Sequence, residues 1–314
     1  MNKNCKIYIA GHKGLVGSAI SRKLKKEGYN NILEYTSDEL DLRNQTTVNN
    51  FFSIEKPEYV FLSAAKVGGI GWNQKCPAEF MYDNLQIQNN VINGCYKNNI
   101  KKLLFLGSAC IYPKITPQPI KEEYLMTADL EPTNEAYALS KIVGLKMCQY
   151  YAKQYGFNAI SLMPANLYGI NDNFNVERCH VIPALIKKFI DAKESGQSYV
   201  TCFGDGTPTR EFLYSDDLAD ACLFLMNNYF SPEIINVGVG SSITIKNLAE
   251  TIKNKLNFKG DIIWDTTKPN GTPMRQLCVE KINKLGWSAQ TNFDDGITKT
   301  INWYLQNKLN YCRN

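Results

Sequence analysis

Tyr137 and Lys141 stand four residues apart in the string Tyr137-Ala138-Leu139-Ser140-Lys141, a spacing that puts both side chains on one face of a helix. An ammonium beside a phenol favours the phenolate, so the pair predicts a tyrosine whose pKa is drawn down toward the working pH. Strings of this kind also arise by chance on amphipathic helices, so their meaning depends on the surroundings. Ser108 directly follows the strand-like run 103–107 (LLFLG). Its hydroxyl should project at the carboxyl edge of a sheet, where it could hydrogen-bond the oxygen of a substrate carbonyl. Gly11-His12-Lys13-Gly14-Leu15-Val16-Gly17 follows the first strand-like run and opens a helix. Glycines so spaced give a tight turn, admit a pyrophosphate to the backbone, and turn helical N–H groups toward it. Glycine loop, edge serine and helical Tyr/Lys occur in the order that hydride transfer from a nicotinamide needs.

These residues need a sheet to hold them, and the first half of the chain supplies one. Short apolar runs at 6–10, 32–36, 59–64, 103–107 and 159–163 alternate with helical patterns near 15–27, 45–55, 78–99 and 136–155. That alternation predicts an α/β fold: a Rossmann-type parallel sheet with helices on both faces. The second half is less regular. Residues 165–181 read as a long loop, followed by helices near 181–195, 216–228, 244–256 and 294–307. The expected division is a dinucleotide-binding domain of residues 1–169 plus 216–241. A smaller, interleaved C-terminal substrate lobe takes 170–215 plus 242–314, over the carboxyl edge where ligands bind in such folds.

Composition narrows the class. The chain has 314 residues, 44% hydrophobic and 21% charged, with a net charge of +5. Its lysines are scattered, so nucleic acid is not an expected partner. No apolar run reaches membrane-spanning length, which argues against a membrane partner. The N-terminus leads straight into a strand-like run, and the 10 cysteines form no CxxC pair. Reduced thiols in a cytoplasmic protein, with neither a disulfide scaffold nor a metal site, are therefore expected. An acidic tip on the second strand would mark NAD. Here the tip reads Tyr35-Thr36-Ser37, with Asp38 and Glu39 beyond, and Lys13 could meet a 2′-phosphate. The expectation leans to NADP, with NAD second.

Longer strings carry a resemblance. Ala10–Ile20, Ala64-Ala65-Lys66-Val67-Gly68-Gly69-Ile70, Leu104–Lys114, Leu130-Glu131-Pro132-Thr133-Asn134-Glu135, Asn166-Leu167-Tyr168-Gly169, His180–Leu185 and Arg210-Glu211-Phe212-Leu213 together resemble the GDP-L-fucose synthase family of extended short-chain dehydrogenases/reductases. The resemblance implies an enzyme that epimerises a GDP-4-keto-6-deoxymannose at C3 and C5, then reduces C4 with NADPH, for surface polysaccharide. It makes Ser108, Tyr137 and Lys141 the reductase triad, with Lys141 also on the nicotinamide ribose. Cys110 and His180 become the epimerisation base and acid, His180 also lying beside the cofactor. From the residues alone, Cys110 could equally be a packing residue and His180 a helix cap.

The same resemblance implies adenine contacts at Asp41 and Leu42. It puts Ala64, Ala65 and Lys66 along the phosphate–ribose path, and Pro164, Asn166 and Leu167 at the nicotinamide end. Asn84 would hold the active-site helix or a water. Lys188 and Arg210 would grip the GDP diphosphate of a GDP-linked 4-keto sugar. Several positions depart from the family pattern. Ser37 stands where an arginine is usual, Phe203 replaces a tryptophan near the nucleotide, and Cys278 replaces an aspartate that contacts substrate. Met274-Arg275 replaces an Arg-Lys pair, and Gly71-Trp72 is unusual. Such changes fit a related substrate, for example a GDP-4-keto-heptose reduced without epimerisation. Two other readings stay open: a nucleotide-sugar 4-epimerase or 4,6-dehydratase with bound NAD, and a non-catalytic dinucleotide-binding regulator. Ser108-Ala109-Cys110 lacks the threonine and acids of a dehydratase. A homodimer is expected, paired through helices 78–99 and 136–155.

Overall fold

The computed structural model describes residues 1–268 and 270–308. The elements run β1 (Ile7–Ala10), α1 (Leu15–Lys26), β2 (Ile32–Leu33), α2 (Gln45–Glu55), β3 (Tyr59–Leu62), α3 (Ile70–Lys75), α4 (Pro77–Lys97), β4 (Lys102–Leu106), α5 (Glu135–Tyr155) and β5 (Ala159–Pro164). They continue with β6 (Asn166–Tyr168), α6 (Val181–Glu194), β7 (Tyr199–Phe203), β8 (Thr209–Arg210), β9 (Phe212–Tyr214), α7 (Ser215–Asn228) and β10 (Ile235–Val237). The last are β11 (Ile243–Thr244), α8 (Ile245–Lys255), β12 (Asp261–Asp265), β13 (Met274–Arg275), α9 (Glu280–Lys284) and α10 (Phe293–Asn307).

Six strands form one parallel sheet in the order β10-β5-β4-β3-β1-β2. Strands β1, β4 and β5 are buried along their whole length, as a parallel sheet covered on both faces requires. Helix α1 packs with α7, while α4 packs with α2 and α5. The strand order reverses between β1 and β3, so the crevice expected at such a switch point opens beside Gly11 and Ala64.

Two sequence expectations change here. The second strand, expected over 32–36, stops at Leu33. Glu34 turns instead to Ser21 and Lys25 on α1, and the Glu39 carboxylate accepts from Thr36 N–H at 2.7 Å, closing a turn. The loop expected over 165–181 contains β6, which pairs in parallel with β9 through Asn166↔Phe212 and Tyr168↔Tyr214. Three residues are too few to show a period in the sequence.

A second core gathers Tyr168, Phe174, Phe189, Phe212, Leu248 and Ile301 between α6, α8 and α10. Around it lie the parallel pair β7–β12 and the small sheet β11-β8-β13. One carboxylate bolts this region to the main sheet. Glu211, 1% exposed, accepts from the N–H groups of Val239 (2.6 Å), Gly240 (2.8 Å) and Leu277 (2.6 Å). Among the described residues no helix is long and apolar enough to cross a membrane. The nine described cysteines are free thiols; Cys312 lies outside the described residues.

Candidate active site

The glycine loop is built by close approach. Gly11 has φ +87°, and a Cβ there would stand 2.8 Å from the backbone of Ala64. A Cβ on Gly17 would stand 2.1 Å from the Gly11 carbonyl oxygen. Gly14 donates to that same oxygen at 3.0 Å and begins α1, which has neither a side-chain cap nor an acidic first turn. The first-turn N–H groups at Leu15, Val16 and Gly17 therefore form a cradle suited to a dinucleotide pyrophosphate. The Nδ1 of His12 is buried without a partner. The Lys13 carbonyl accepts from Asn171. The Glu39 carboxyl is held below its ordinary range by hydrogen bonds to Thr36, with Lys13 and His12 adding to the effect.

Three buried amides on α4 fix the neighbouring loops. Asn84 clasps the backbone of Lys66, accepting from its N–H at 2.7 Å and donating to its carbonyl at 3.0 Å. Asn84 thus holds the loop after β3, where the sequence suggested the active-site helix or a water. Asn90 donates to the carbonyls of Leu42 (2.9 Å) and Arg43 (3.0 Å). Gln88 donates to the Ser140 carbonyl on α5 at 2.7 Å. Asp41 pairs with Arg43 at 2.9 Å. The Lys66 ammonium is tied to Glu79 and Asp83. Ala64 and Ala65 follow β3 at the crevice, while Pro164 ends β5. Asn166 and Leu167 lie in β6, the Asn166 amide donating to the Glu211 carbonyl at 3.0 Å.

Ser108 leaves β4 extended, and its Oγ accepts from Cys110 N–H at 3.2 Å. Helix α5 approaches closely because position 144 is glycine; a Cβ there would meet the Phe105 ring at 2.5 Å. That approach brings Tyr137 and Lys141 to the sheet edge. Ser108 lies beside the Tyr137 hydroxyl, near enough to act on its titration. Lys141 Nζ donates to the Leu106 carbonyl at 2.9 Å and lies 5.9 Å from the Tyr137 ring centre.

The tyrosine's titration departs from expectation. Burial, and secondarily the nearby Cys110, push its pKa up, with Ser108 opposing. Lys141 does not outweigh this, because burial lowers its own pKa to about 8 and one of its three donors goes to the Leu106 carbonyl. Tyr137 is therefore poised as an acid that keeps its proton until an oxyanion develops nearby.

Cys110 sits on a one-turn 3-10 helix, Ala109–Ile111, and its sulfur accepts from the Asn134 amide at 3.3 Å. Arg275, from β13, donates to the Ala109 carbonyl at 2.8 Å. Burial, and next the neighbouring Arg275, lower the Arg210 pKa to about 10, while Cys110 and Glu131 oppose the shift. Arg210, Arg275, Cys110 and Glu131 thus share one electrostatic neighbourhood where the lobe meets the sheet. His180 is the N-cap of α6, but its ring makes no capping bond. The residue is exposed, and the protein around it lowers its pKa. Lys188 donates to the Thr201 carbonyl at 3.0 Å and lies 4.5 Å above the Phe203 ring, which is 62% exposed. Cys278 is buried, its N–H bonded to Ile120 and its carbonyl to Asn236.

Asn134, Arg275, Gln88 and Asn90 were not singled out by the sequence reading, since each acts through a backbone group or a sulfur far along the chain. Arg275 carried the only signal, as a departure from a family pair.

Residues 7–238 match the model of the NAD dependent epimerase/dehydratase family. GDP-L-fucose synthase 1 of Arabidopsis thaliana is 53% identical over 309 residues, 98% of this chain and 96% of that protein. The chain belongs to the GDP-L-fucose synthase family. Among solved structures it is similar to a GDP-6-OMe-4-keto-L-xylo-heptose reductase from C. jejuni, with TM-score 0.92 and 38% identity over 98% of this chain and 99% of that one. It is also similar to MlghC, a GDP-mannoheptose C4 reductase from Campylobacter jejuni with NADP bound, with TM-score 0.88 and 40% identity over 97% and 99%. Family membership accounts for the Rossmann-type sheet and for the glycine cradle at its switch point.

Proposed function

We propose that this family member reduces the C4 ketone of a GDP-linked 4-keto sugar, with NADPH as reductant. The observation that carries the proposal is the convergence of Ser108, Tyr137 and Lys141 at the sheet edge next to the glycine cradle. When bound, the dinucleotide supplies a hydride to C4. Gly11, Gly14, Leu15, Val16 and Gly17 hold its pyrophosphate, and Lys13 faces the 2′-phosphate in place of an arginine at position 37. Asp41, Leu42, Ala64, Ala65 and Lys66 line its adenosine half; Pro164, Asn166, Leu167, Lys141 and His180 line the nicotinamide half.

Ser108 hydrogen-bonds the C4 oxygen, and Tyr137 gives it a proton as charge builds there. The phenolate left behind is stabilised by Lys141 and regains a proton from water. Cys110 and His180 serve as base and acid for exchange at C3 and C5, with the C4 enolate held by Ser108 and Tyr137. The Asn134 amide supports this role by fixing the direction of the Cys110 sulfur. Arg210 and Lys188 take the diphosphate, Phe203 the base, and Cys278 lies near the sugar. The substrate lobe comprises 170–215 and 242–314, the dinucleotide domain 1–169 and 216–241.

The greater identity to the Arabidopsis fucose synthase than to the Campylobacter heptose reductases favours a 6-deoxyhexose over a heptose. A homodimer belongs to the same reading. Leu139, Val143 and Tyr150 are exposed along one face of α5 and line an apolar groove with Met126 and Met147. A face of this kind is suited to a second copy. The free thiols among the described residues and an NADPH-consuming reaction favour a cytoplasmic location.

The test is to incubate the protein with NADPH and either GDP-4-keto-6-deoxymannose or a GDP-4-keto-heptose in D2O, then identify the product. NADPH oxidation with a C4 alcohol supports reduction, and deuterium at C3 or C5 supports epimerisation. No oxidation with either sugar would overturn the proposal.

A further inference from the structure

Trp72, on α3, and Arg178, two residues before His180, are joined face to face. The Arg178 guanidinium lies 4.5 Å from the indole ring centre, within range of a cation–π contact. The backbone closes the same contact, since Gly69 N–H donates to the Arg178 carbonyl at 2.9 Å. There is no slack in the joint. A Cβ on Gly69 would stand 2.4 Å from the Cys179 carbonyl oxygen, and one on Gly68 would stand 2.9 Å from Trp72. Asn73 folds α3 back over the loop by donating to the carbonyls of Gly68 (2.8 Å) and Gly69 (3.1 Å).

On the far side, Arg178 and Cys179 both donate to the Asn175 carbonyl, at 3.0 and 2.8 Å, closing the turn that ends at His180. The His180 ring makes no capping bond to α6, so the residue is held only through its backbone, between that turn and the helix, whose Ala184 N–H donates to its carbonyl at 3.1 Å. The joint also lies close to the proton-transfer residues. Phe80, 3.3 Å from the position of a Gly68 Cβ, meets the Tyr137 ring edge-on at 6.2 Å.

We infer that Trp72 is a positioning residue for His180: its stack on Arg178 clamps the turn that delivers the imidazole to the substrate cleft. The inference rests on the reading of His180 as a proton carrier at C3 and C5. It gives the unusual Gly71-Trp72 string a function, with Trp72 acting from outside the cleft.

The test measures deuterium exchange into GDP-4-keto-6-deoxymannose in D2O without NADPH, so that it is independent of reduction. The full-length proteins compared are the wild type, Trp72→Ala, Trp72→Phe, His180→Gln and the double variant Trp72→Ala/His180→Gln. Misplacing the acid should slow exchange in Trp72→Ala by on the order of ten- to a hundred-fold. Trp72→Phe, which keeps a ring under the guanidinium, should retain most of the exchange. In the His180→Gln background Trp72→Ala should add nothing to the loss, and the NADPH affinity of Trp72→Ala alone should stay within about two-fold of the wild type. A merely structural role would lower exchange further in the double variant and weaken NADPH binding too; that result overturns the inference. So does a wild type that oxidises NADPH yet exchanges no deuterium, which leaves the reductase reading standing. Exchange that follows the expected pattern in a protein unable to oxidise NADPH would uphold the clamp and sink the reductase reading.

Discussion

Replacing Glu211 by glutamine should destabilise the protein far more than one exchanged atom suggests. The carboxylate, 1% exposed, accepts three backbone N–H bonds at 2.6, 2.8 and 2.6 Å, two on one oxygen and one on the other. An amide can satisfy only one of those sides. With its oxygen toward Val239 and Gly240, its NH2 faces the Leu277 N–H, donor against donor. The bond lost there was charge-assisted, worth about 1.5–3 kcal/mol. The two that remain become neutral and about half as strong, costing about 1.5–3 kcal/mol more in total, while removing a carboxylate whose pKa burial raises works in the other direction. A loss of about 3–4 kcal/mol is expected, measured as a lower urea midpoint with an unchanged slope. Glu211→Ala would strand three buried donors at about 1–3 kcal/mol each, comparable with the whole stability of a domain, and should not fold. Unfolding of Glu211→Gln within about 1 kcal/mol of wild type would refute the claim that the three bonds hold the lobe to the sheet.

Other outcomes follow from the site. Tyr137→Phe should abolish NADPH oxidation while GDP binding, followed by calorimetry, changes little. The Lys141 pKa is depressed from 10.5 to about 8, so its ammonium is lost as pH rises through that value. kcat/KM for reduction, which reports the free enzyme, should fall above about pH 8. The stability effect has the opposite sign. Between about 8 and 10.5 the unfolded chain binds the extra proton, so Lys141 contributes stability that grows with pH across that window. Gly17→Ala must move the phosphate loop by roughly 1 Å to relieve the 2.1 Å contact with Gly11, a displacement that should cost about a hundred-fold in activity, with NADPH binding weakened in titration. Val143→Glu should yield monomers in light scattering if the α5 face is the dimer contact.

The parts of the site legible in the sequence are those carried by local pattern. The glycine loop, the serine after β4 and the Tyr/Lys pair on α5 need only a strand, a turn and a helical period to be read. The Tyr137 proton was misjudged because spacing reveals proximity to Lys141 but not burial, and burial governs both groups. Glu211 and Asn84 were visible only as motif residues, because their partners are backbone groups of distant loops. β6 and β9 escaped because two three-residue strands carry no periodicity, and their pairing is non-local. Trp72 stood out as unusual, but its stacking partner lies in a turn that the sequence left as loop.

Helix α4 has a consequence for how this fold can vary. Asn84 and Asn90 anchor the loops after β3 and before α2, and six residues of helix separate those anchors by about 9 Å along the axis. The helix therefore acts as a ruler for the cofactor groove. Inserting or deleting one residue between the anchors would turn one amide about 100° away from its loop. Homologous chains should accordingly carry no gap within this stretch.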